Sequence, residues 1–470
     1  MKVLIIGGVA GGASAAARLR RLDECAEIVL FERGAYISFA NCGLPYYIGG
    51  EIKNKAALTL LTPAVFHARF AVDVRTEQEV LEIDRAARTV AVRNVRTGET
   101  YTESYDKLIL SPGAEPVMPP IAKKSDRVFT LRNIPDTYKI KDFLEARKPK
   151  SAVVVGGGYI GVEMAENLKN AGLDVTVVEM LDQVIAPLDY DMASDVHNHI
   201  RQQGVKLLLS EAVKQVTEDE CGLTVTLGGG EFRTDMLIMA VGVRPESGLA
   251  KAAGLEVGAR GGIVVNASMQ TSDPDIYAVG DAVEITDYVT GQKGMIPLAG
   301  PANKQGRIAA DNLCGIPSTF DGTQGSAILK VFDLTAATTG INEKTAKKLG
   351  LDYDKAFLYS TSHASYYPGA VNMSIKVIFE NGSGKILGAQ VVGYDGADKR
   401  CDVFATAIRA GMTAYDLSKL ELCYAPPYSS AKDPVNVAGF VIENILTGKV
   451  RNFHWHDVDD LPRDSSVTLL

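Results

Sequence analysis

Two glycine-rich turns, at residues 7–12 and 156–161, confine this 470-residue chain to a narrow set of folds. The later turn is the cleaner. An apolar, β-branched run at 151–155 leads into Gly156-Gly-Gly-Tyr-Ile-Gly161, residues 162–171 favour helix, and a second apolar run at 175–178 closes on Glu179. Each part has a physical task. The glycines let the backbone turn sharply and approach a pyrophosphate, the helix N-terminus favours negative charge, and the terminal acid accepts from ribose hydroxyls. The earlier turn repeats this with a strand at 2–6, Gly7-Gly-Val-Ala-Gly-Gly12, a helix at 13–22 and a strand at 28–31 ending at Glu32; Val9 stands where the second glycine usually lies. Two such units imply two dinucleotides and two parallel α/β domains.

The segments downstream of the two units repeat as well. Residues 76–104 alternate in a β-like pattern, and 107–113 read as a strand ending in a turn; 237–245 repeat that strand and turn after the second unit, as internal repeats do. A further strand-to-turn at 276–281 places Asp281 to accept from a ribityl hydroxyl. Beyond about residue 320 the glycine turns stop. There 327–334, 372–379 and 386–392 read as strands, and 403–410 and 435–446 as helices. The expected fold is therefore α/β, with two Rossmann-like domains followed by a C-terminal α+β domain.

The net charge of -8 offers no general attraction to nucleic acid or to anionic membranes. The apolar run at 3–6 is too short for a signal peptide and no stretch is long enough to span a bilayer, so a cytoplasmic protein is expected. Cysteines at 25, 42, 221, 314, 401 and 423 show no paired or metal-ligand spacing, and His454 and His456 lack further ligands, so no metal is expected. Glu179 would repel a ribose 2'-phosphate and residues 180–184 contain no arginine or lysine, which favours NADH over NADPH.

Cys42 stands in Ser38-Phe-Ala-Asn-Cys-Gly-Leu-Pro-Tyr-Tyr47, just beyond the first unit. Flavin reductases with an internal dithiol place a second cysteine five residues on, and here that residue is Tyr47. A disulfide formed by Cys42 is therefore expected to take its second sulfur from outside the chain, or the cysteine to cycle through an oxygen adduct.

With these features in order, the chain resembles the coenzyme A disulfide reductases and NADH-dependent persulfide reductases. The resemblance covers nearly the whole chain. It is carried by Gly-Gly-Val-Ala-Gly-Gly at 7–12, where Val9 is normal for this branch, by the Cys42 segment, by Ala-Ser-Tyr-Tyr-Pro-Gly at 364–369 and by Tyr-Ala-Pro-Pro-Tyr at 424–428. It implies an FAD-binding domain in two parts, 1–113 and 243–320, around an NAD-binding domain at 114–242, then a dimerisation domain at 321–450 that makes a homodimer. Residues 451–470, ending in an apolar run, read as a linker toward an absent domain of rhodanese type. The implied cofactor positions are Gly7, Val9, Ala10, Gly12, Glu32, Arg33, Ser111, Gly113, Gly156, Gly158, Tyr159, Ile160, Gly161, Glu163, Glu179, Gly242, Gly280, Asp281, Pro297, Leu298 and Ala299.

The implied reaction is reduction of coenzyme A disulfide, coenzyme A persulfide or polysulfide by NADH, through FAD and a Cys42–S–S–CoA mixed disulfide. This needs a thiolate of lowered pKa. By resemblance, Tyr366 and Tyr424 replace the His–Glu pair of dithiol reductases as proton donors across the dimer, with Tyr367 and Tyr428 as the nearest competitors. An acidic chain needs a local cationic pocket for coenzyme A phosphates. Arg18 and Arg21 share one helix face, and Ser14, Ser38, Asn41, Asn303 and Lys432 complete the expected substrate site. Phe70 lies where some relatives have lysine, with His67 or Arg69 as its replacement. The rival implied reaction is that of an NADH peroxidase or oxidase cycling Cys42 through sulfenic acid, but those relatives carry a histidine in the first glycine turn where this chain has Ala10. A redox-sensing flavoprotein without catalysis, the third reading, would not need Cys42.

Overall fold

The apolar runs that lack alternation become parallel strands buried on both faces, as sheets covered by helices require. In the computed structural model, which describes residues 1–122, 125–458, 461–464 and 466, two compact units emerge, Met1–Leu334 and Thr335–Leu470. The first unit holds two five-stranded parallel sheets of matching design. One runs Ile276–Ala278, Lys107–Leu110, Lys2–Ile6, Glu27–Glu32, Asp73–Thr76. The other runs Lys206–Leu208, Asp174–Val178, Ser151–Val155, Met236–Met239, Val128–Phe129. In both, the strand that feeds a glycine turn is central, which puts the turn at the crevice where strand order reverses and ligands bind.

The chain leaves the first sheet, builds the second, and returns to add Ile276–Ala278 beside Lys107–Leu110. Its two crossings pair with each other, Ala114–Pro116 antiparallel to Val243–Pro245. Each half also carries a three-stranded antiparallel sheet, Gln78–Asp84, Thr89–Asn94 and Thr100–Ser104 in one, Gln215–Asp219, Gly222–Thr226 and Glu231–Thr234 in the other. The repeat read from the sequence is thus a repeat of whole supersecondary units. The helices start earlier than the sequence suggested, at Ala10–Leu22 and Tyr159–Asn170, because the end of each glycine turn already forms the first helical turn.

In the second unit, Leu334–Gly340, Ile386–Gly393, Asn372–Glu380 and Tyr353–Thr361 lie side by side in that order, antiparallel. Ala397–Arg409 and Pro434–Leu446 are its long helices. The run at 327–334 is not one strand: Phe332 at φ +57° turns the chain between Ala327–Val331 and Leu334–Gly340. Among the described residues no helix is long and apolar enough to cross a membrane. The apolar end, 467–470, lies outside the described residues.

Candidate active site

The two glycine turns obey the same constraints. Gly7 and Gly156 sit at φ +99° and +107°, and each amide donates to the neighbouring strand, to the carbonyls of Phe31 and Val178, both at 2.8 Å. A Cβ at Gly7 would fall on the Ser111 carbonyl oxygen, and one at Gly156 on that of Ala240. A Cβ at Gly12 or Gly161 would fall on the carbonyl of Gly7 or Gly156. These four glycines are demanded by the chain itself. Gly158 is different, since a Cβ there would meet nothing within 4 Å. The chain itself makes no demand for glycine there, at the point where the motif would bring backbone to a pyrophosphate.

The acids that close the units match too. Glu32 accepts from the amides of Gly8 (3.0 Å) and Gly34 (2.8 Å); Glu179 accepts from Gly157 (2.5 Å) and Leu181 (2.8 Å). Backbone amides thus orient each carboxylate at the strand end and leave it lone pairs for ribose hydroxyls. Around the second turn Ile160, Met180, Leu181 and Val241 expose apolar side chains, a surface that a bound nicotinamide dinucleotide would cover. Around the first, Gly280 (φ +82°) is held by Gln305, whose Oε1 accepts from its amide at 2.8 Å. Asp281, Leu298, Ala302 and Gln305 line one recess beside it, and burial pushes the Asp281 carboxyl up. Leu298 caps the helix Ala299–Leu313, with Pro297 exposed just ahead of it. The residues fit both dinucleotides. Arg33 and Arg132 converge on Glu246 at 2.6 and 2.8 Å, and Arg132 also donates to the Pro112 carbonyl beside Gly113. Gly242, at φ +107°, starts the crossing back, and its carbonyl accepts from Val117.

Cys42 is exposed on a short 3-10 turn, Asn41–Gly43, that runs into the helix Leu44–Gly49. Ser38, in the left-handed region at φ +45°, donates its amide to the Gly8 carbonyl (2.8 Å) and pins this loop to the first glycine turn. Tyr46, four residues after Cys42, donates to Glu163 Oε1 at 3.2 Å, so the cysteine segment of one sheet meets the glycine-turn helix of the other. Burial raises the Glu163 carboxyl to about 7. The Cys42 thiol is itself pushed up, by desolvation and by the carboxylates of Glu163 and Asp281. These effects outweigh a backbone hydrogen bond that favours the thiolate. Tyr47, in the place of a second cysteine, packs edge-on against Tyr138 at 6.2 Å, a purely structural use of that position.

Of the substrate residues, Ser14 and Asn303 meet, Oγ to Oδ1 at 2.5 Å. Arg18 is already engaged by the buried Asp311 at 2.6 Å. Arg21 and Arg69 both stack their guanidinium groups on the Phe70 ring, at 5.6 and 5.3 Å from its centre, whereas His67, exposed, is engaged through Nδ1 with the Val72 carbonyl at 2.8 Å. Asn41 is exposed. In the second unit, Tyr366 and Tyr424 join hydroxyl to hydroxyl at 2.7 Å, 73% and 48% exposed. Their competitors do not join them: Tyr367 packs on His363 at 5.8 Å and Tyr428 stands exposed. Lys432 is exposed on the same unit. The sequence missed Tyr46, Arg132 and Gln305. Only the lone Pro-Tyr-Tyr after Cys42 hinted at any of them.

Residues 1–306 match the family described as pyridine nucleotide-disulphide oxidoreductase, and 326–434 match the dimerisation domain of that family. The chain belongs to the pyridine nucleotide-disulphide oxidoreductases. Among relatives of this oxidoreductase, coenzyme A disulfide reductase of Staphylococcus epidermidis is 39% identical over 93% of this chain and 99% of its own. The crystal structure of reduced Bacillus anthracis CoADR-RHD has a TM-score of 0.95 at 53% identity, covering 98% of this chain and 83% of that one. An NAD-dependent persulfide reductase from A. fulgidus has a TM-score of 0.93 at 43% identity, covering 96% and 84%. The oxidoreductase is thus an FAD- and NADH-using enzyme by family, and its dimerisation domain supports a homodimer.

Proposed function

We propose that this oxidoreductase reduces coenzyme A disulfide, coenzyme A persulfide or polysulfide with NADH. The observation that carries the reading is Cys42: an exposed thiol without a partner cysteine in its motif, placed where the elements of both dinucleotide sites meet, near Asp281 of one and Glu163 of the other. Bound FAD would supply the electron pair that it takes from NADH. Cys42, as thiolate, attacks the substrate disulfide, forming Cys42–S–S–R and expelling one thiolate, which takes up a proton. Two electrons then cleave that bond, regenerating the Cys42 thiolate and releasing the second R–S⁻, which takes up a proton and leaves as thiol. Because Glu163 and Asp281 oppose ionisation of Cys42, the balance depends on what fills the site beside it.

Tyr366 and Tyr424 are the proton donors in this reading, their mutual hydrogen bond holding one hydroxyl ready for the departing thiolate. The coenzyme A site takes Ser14, Asn303, Arg21, Ser38 and Asn41, with Arg69 in the role of the missing lysine, since it shares the Phe70 ring with Arg21. Ala10 in the first turn supports sulfur over peroxide chemistry.

The deciding experiment uses Cys42→Ser holoenzyme and the native protein. The variant is expected to accept electrons from NADH at the native rate and to lose about 1,000-fold or more of its turnover with coenzyme A disulfide. Native protein denatured without reductant is expected to carry a coenzyme A adduct on Cys42. Retained turnover in the variant overturns the mechanism, and a mass gain of oxygen alone moves the enzyme to the peroxidase class.

A further inference from the structure

Tyr366 and Tyr424 lie on two separate loops of the second unit, 58 residues apart in sequence; a local turn shapes each loop, Tyr367 to the Ala364 carbonyl in one and Tyr428 to the Ala425 carbonyl in the other, both at 2.9 Å, but neither turn sets one loop against the other. Both are strongly exposed, so packing does not hold them. The loops are fastened one layer below the surface. Arg400, on the helix Ala397–Arg409, is 1% exposed. Its Nη2 donates to the carbonyl of Ser362 at 2.8 Å, to Ser429 Oγ at 3.1 Å and to Asp433 Oδ2 at 3.1 Å. Ser429 Oγ donates in turn to Asp433 Oδ2 at 2.7 Å, and the Ala364 amide donates to the Ser429 carbonyl at 3.1 Å. One guanidinium nitrogen therefore binds residue 362, four residues before Tyr366, and residue 429, five after Tyr424.

A buried ion pair of this kind is a poor source of net stability compared with apolar packing. Here it is not even saturated, since Arg400 Nε is buried without a partner among the described residues. Its demonstrable effect is geometric. We propose that Arg400 is a positioning residue that holds the Tyr366 and Tyr424 loops in register so that their hydroxyls form one hydrogen-bonded pair. The inference rests on the reading that this pair donates the proton to the departing thiolate, although the geometry it concerns is measurable without catalysis. Asp433 anchors the clasp from the far side. It also caps the helix Pro434–Leu446 through Val435 at 3.0 Å, so the clasp is tied to a rigid element.

The test compares Arg400→Lys, Arg400→Gln and the milder Ser429→Ala, each as FAD-loaded full chain. Lysine can offer its donors from one nitrogen, as Nη2 does, but its stem is shorter and it lacks the second nitrogen, Nη1, that donates to the Gly396 carbonyl at 3.3 Å. Fluorotyrosine 19F NMR, with the two resonances assigned from Tyr366→Phe and Tyr424→Phe, reads the pair directly. In Arg400→Gln and Ser429→Ala both resonances are expected to shift, with Arg400→Lys intermediate. Turnover with coenzyme A disulfide is expected to fall about 10-fold or more in Arg400→Gln, with NADH-driven flavin reduction within about twofold of native. Unmoved resonances in folded Ser429→Ala and Arg400→Lys protein overturn the positioning role, even if Arg400→Gln does not fold. If the resonances shift but Tyr366→Phe and Tyr424→Phe turn over normally, the positioning stands and the proton-donor reading falls.

Discussion

Cys42 and Glu163 show how little of a residue's chemistry is set by its type. A cysteine after a glycine turn suggests a reactive thiolate, yet in this fold desolvation, and with it two carboxylates brought from distant segments, push its thiol up. Glu163 is raised to about 7 by its burial, against the hydrogen bond from Tyr46 that favours its charge. A carboxyl that binds its proton more tightly when folded adds stability at acid pH, and loses it as pH rises from its ordinary value near 4.5 through about 7. Glu163→Gln is therefore expected to melt above the native protein at pH 8, by up to about 3 kcal/mol of stability, with the margin shrinking toward pH 5. Paired thermal melts of cofactor-free protein at the two pH values check this, and an equal margin at both would remove the raised carboxyl.

At the scale of the element, the glycine turns separate what folding needs from what a ligand needs. Gly156→Ala puts a methyl on the Ala240 carbonyl at a positive φ, and is expected to cost about 2–4 kcal/mol of stability. Gly158→Ala meets open space and is expected to leave the melting temperature within about one degree while weakening NADH binding about tenfold or more. Calorimetric titration beside thermal melting distinguishes them; loss of stability without loss of affinity in Gly158→Ala would return that glycine to the chain. The turns were legible in the sequence because most of their constraints are local: the tight turn, the Gly7 or Gly156 carbonyl that crowds Gly12 or Gly161, and the terminal acid all lie within about 30 residues. The break at Phe332 was not, since both flanking runs are apolar and only one backbone angle divides them.

Across the whole molecule, the dimerisation domain gives the tyrosine pair a second significance. If Tyr366 and Tyr424 serve the partner's cysteine, subunits of Cys42→Ser mixed with subunits of Tyr366→Phe/Tyr424→Phe are expected to regain activity that neither has alone, since each heterodimer restores one complete site. Mixing after reversible dissociation, with turnover of coenzyme A disulfide as the readout, measures this; no gain over the separate variants would place each tyrosine pair with its own subunit's cysteine. The same scale holds the interrupted order of the two sheets. That the chain leaves the first sheet and returns to it could be inferred from the repeat, but the pairing of Ile276–Ala278 beside Lys107–Leu110 is a contact between residues more than 160 apart, for which no local pattern exists.

By itself the sequence determined the two dinucleotide turns, their acids and the solitary cysteine, because each is written in adjacent residues whose physical roles are independent of what packs around them. Only the tertiary structure decided that Arg18 is spent on Asp311 while Arg21 and Arg69 share Phe70, that Tyr366 pairs with Tyr424 rather than with its neighbour Tyr367, and that Cys42 sits among carboxylates. Charge, proton affinity and the direction of a side chain depend on the through-space field of whatever the fold brings near, and that assembly is distributed over the whole chain.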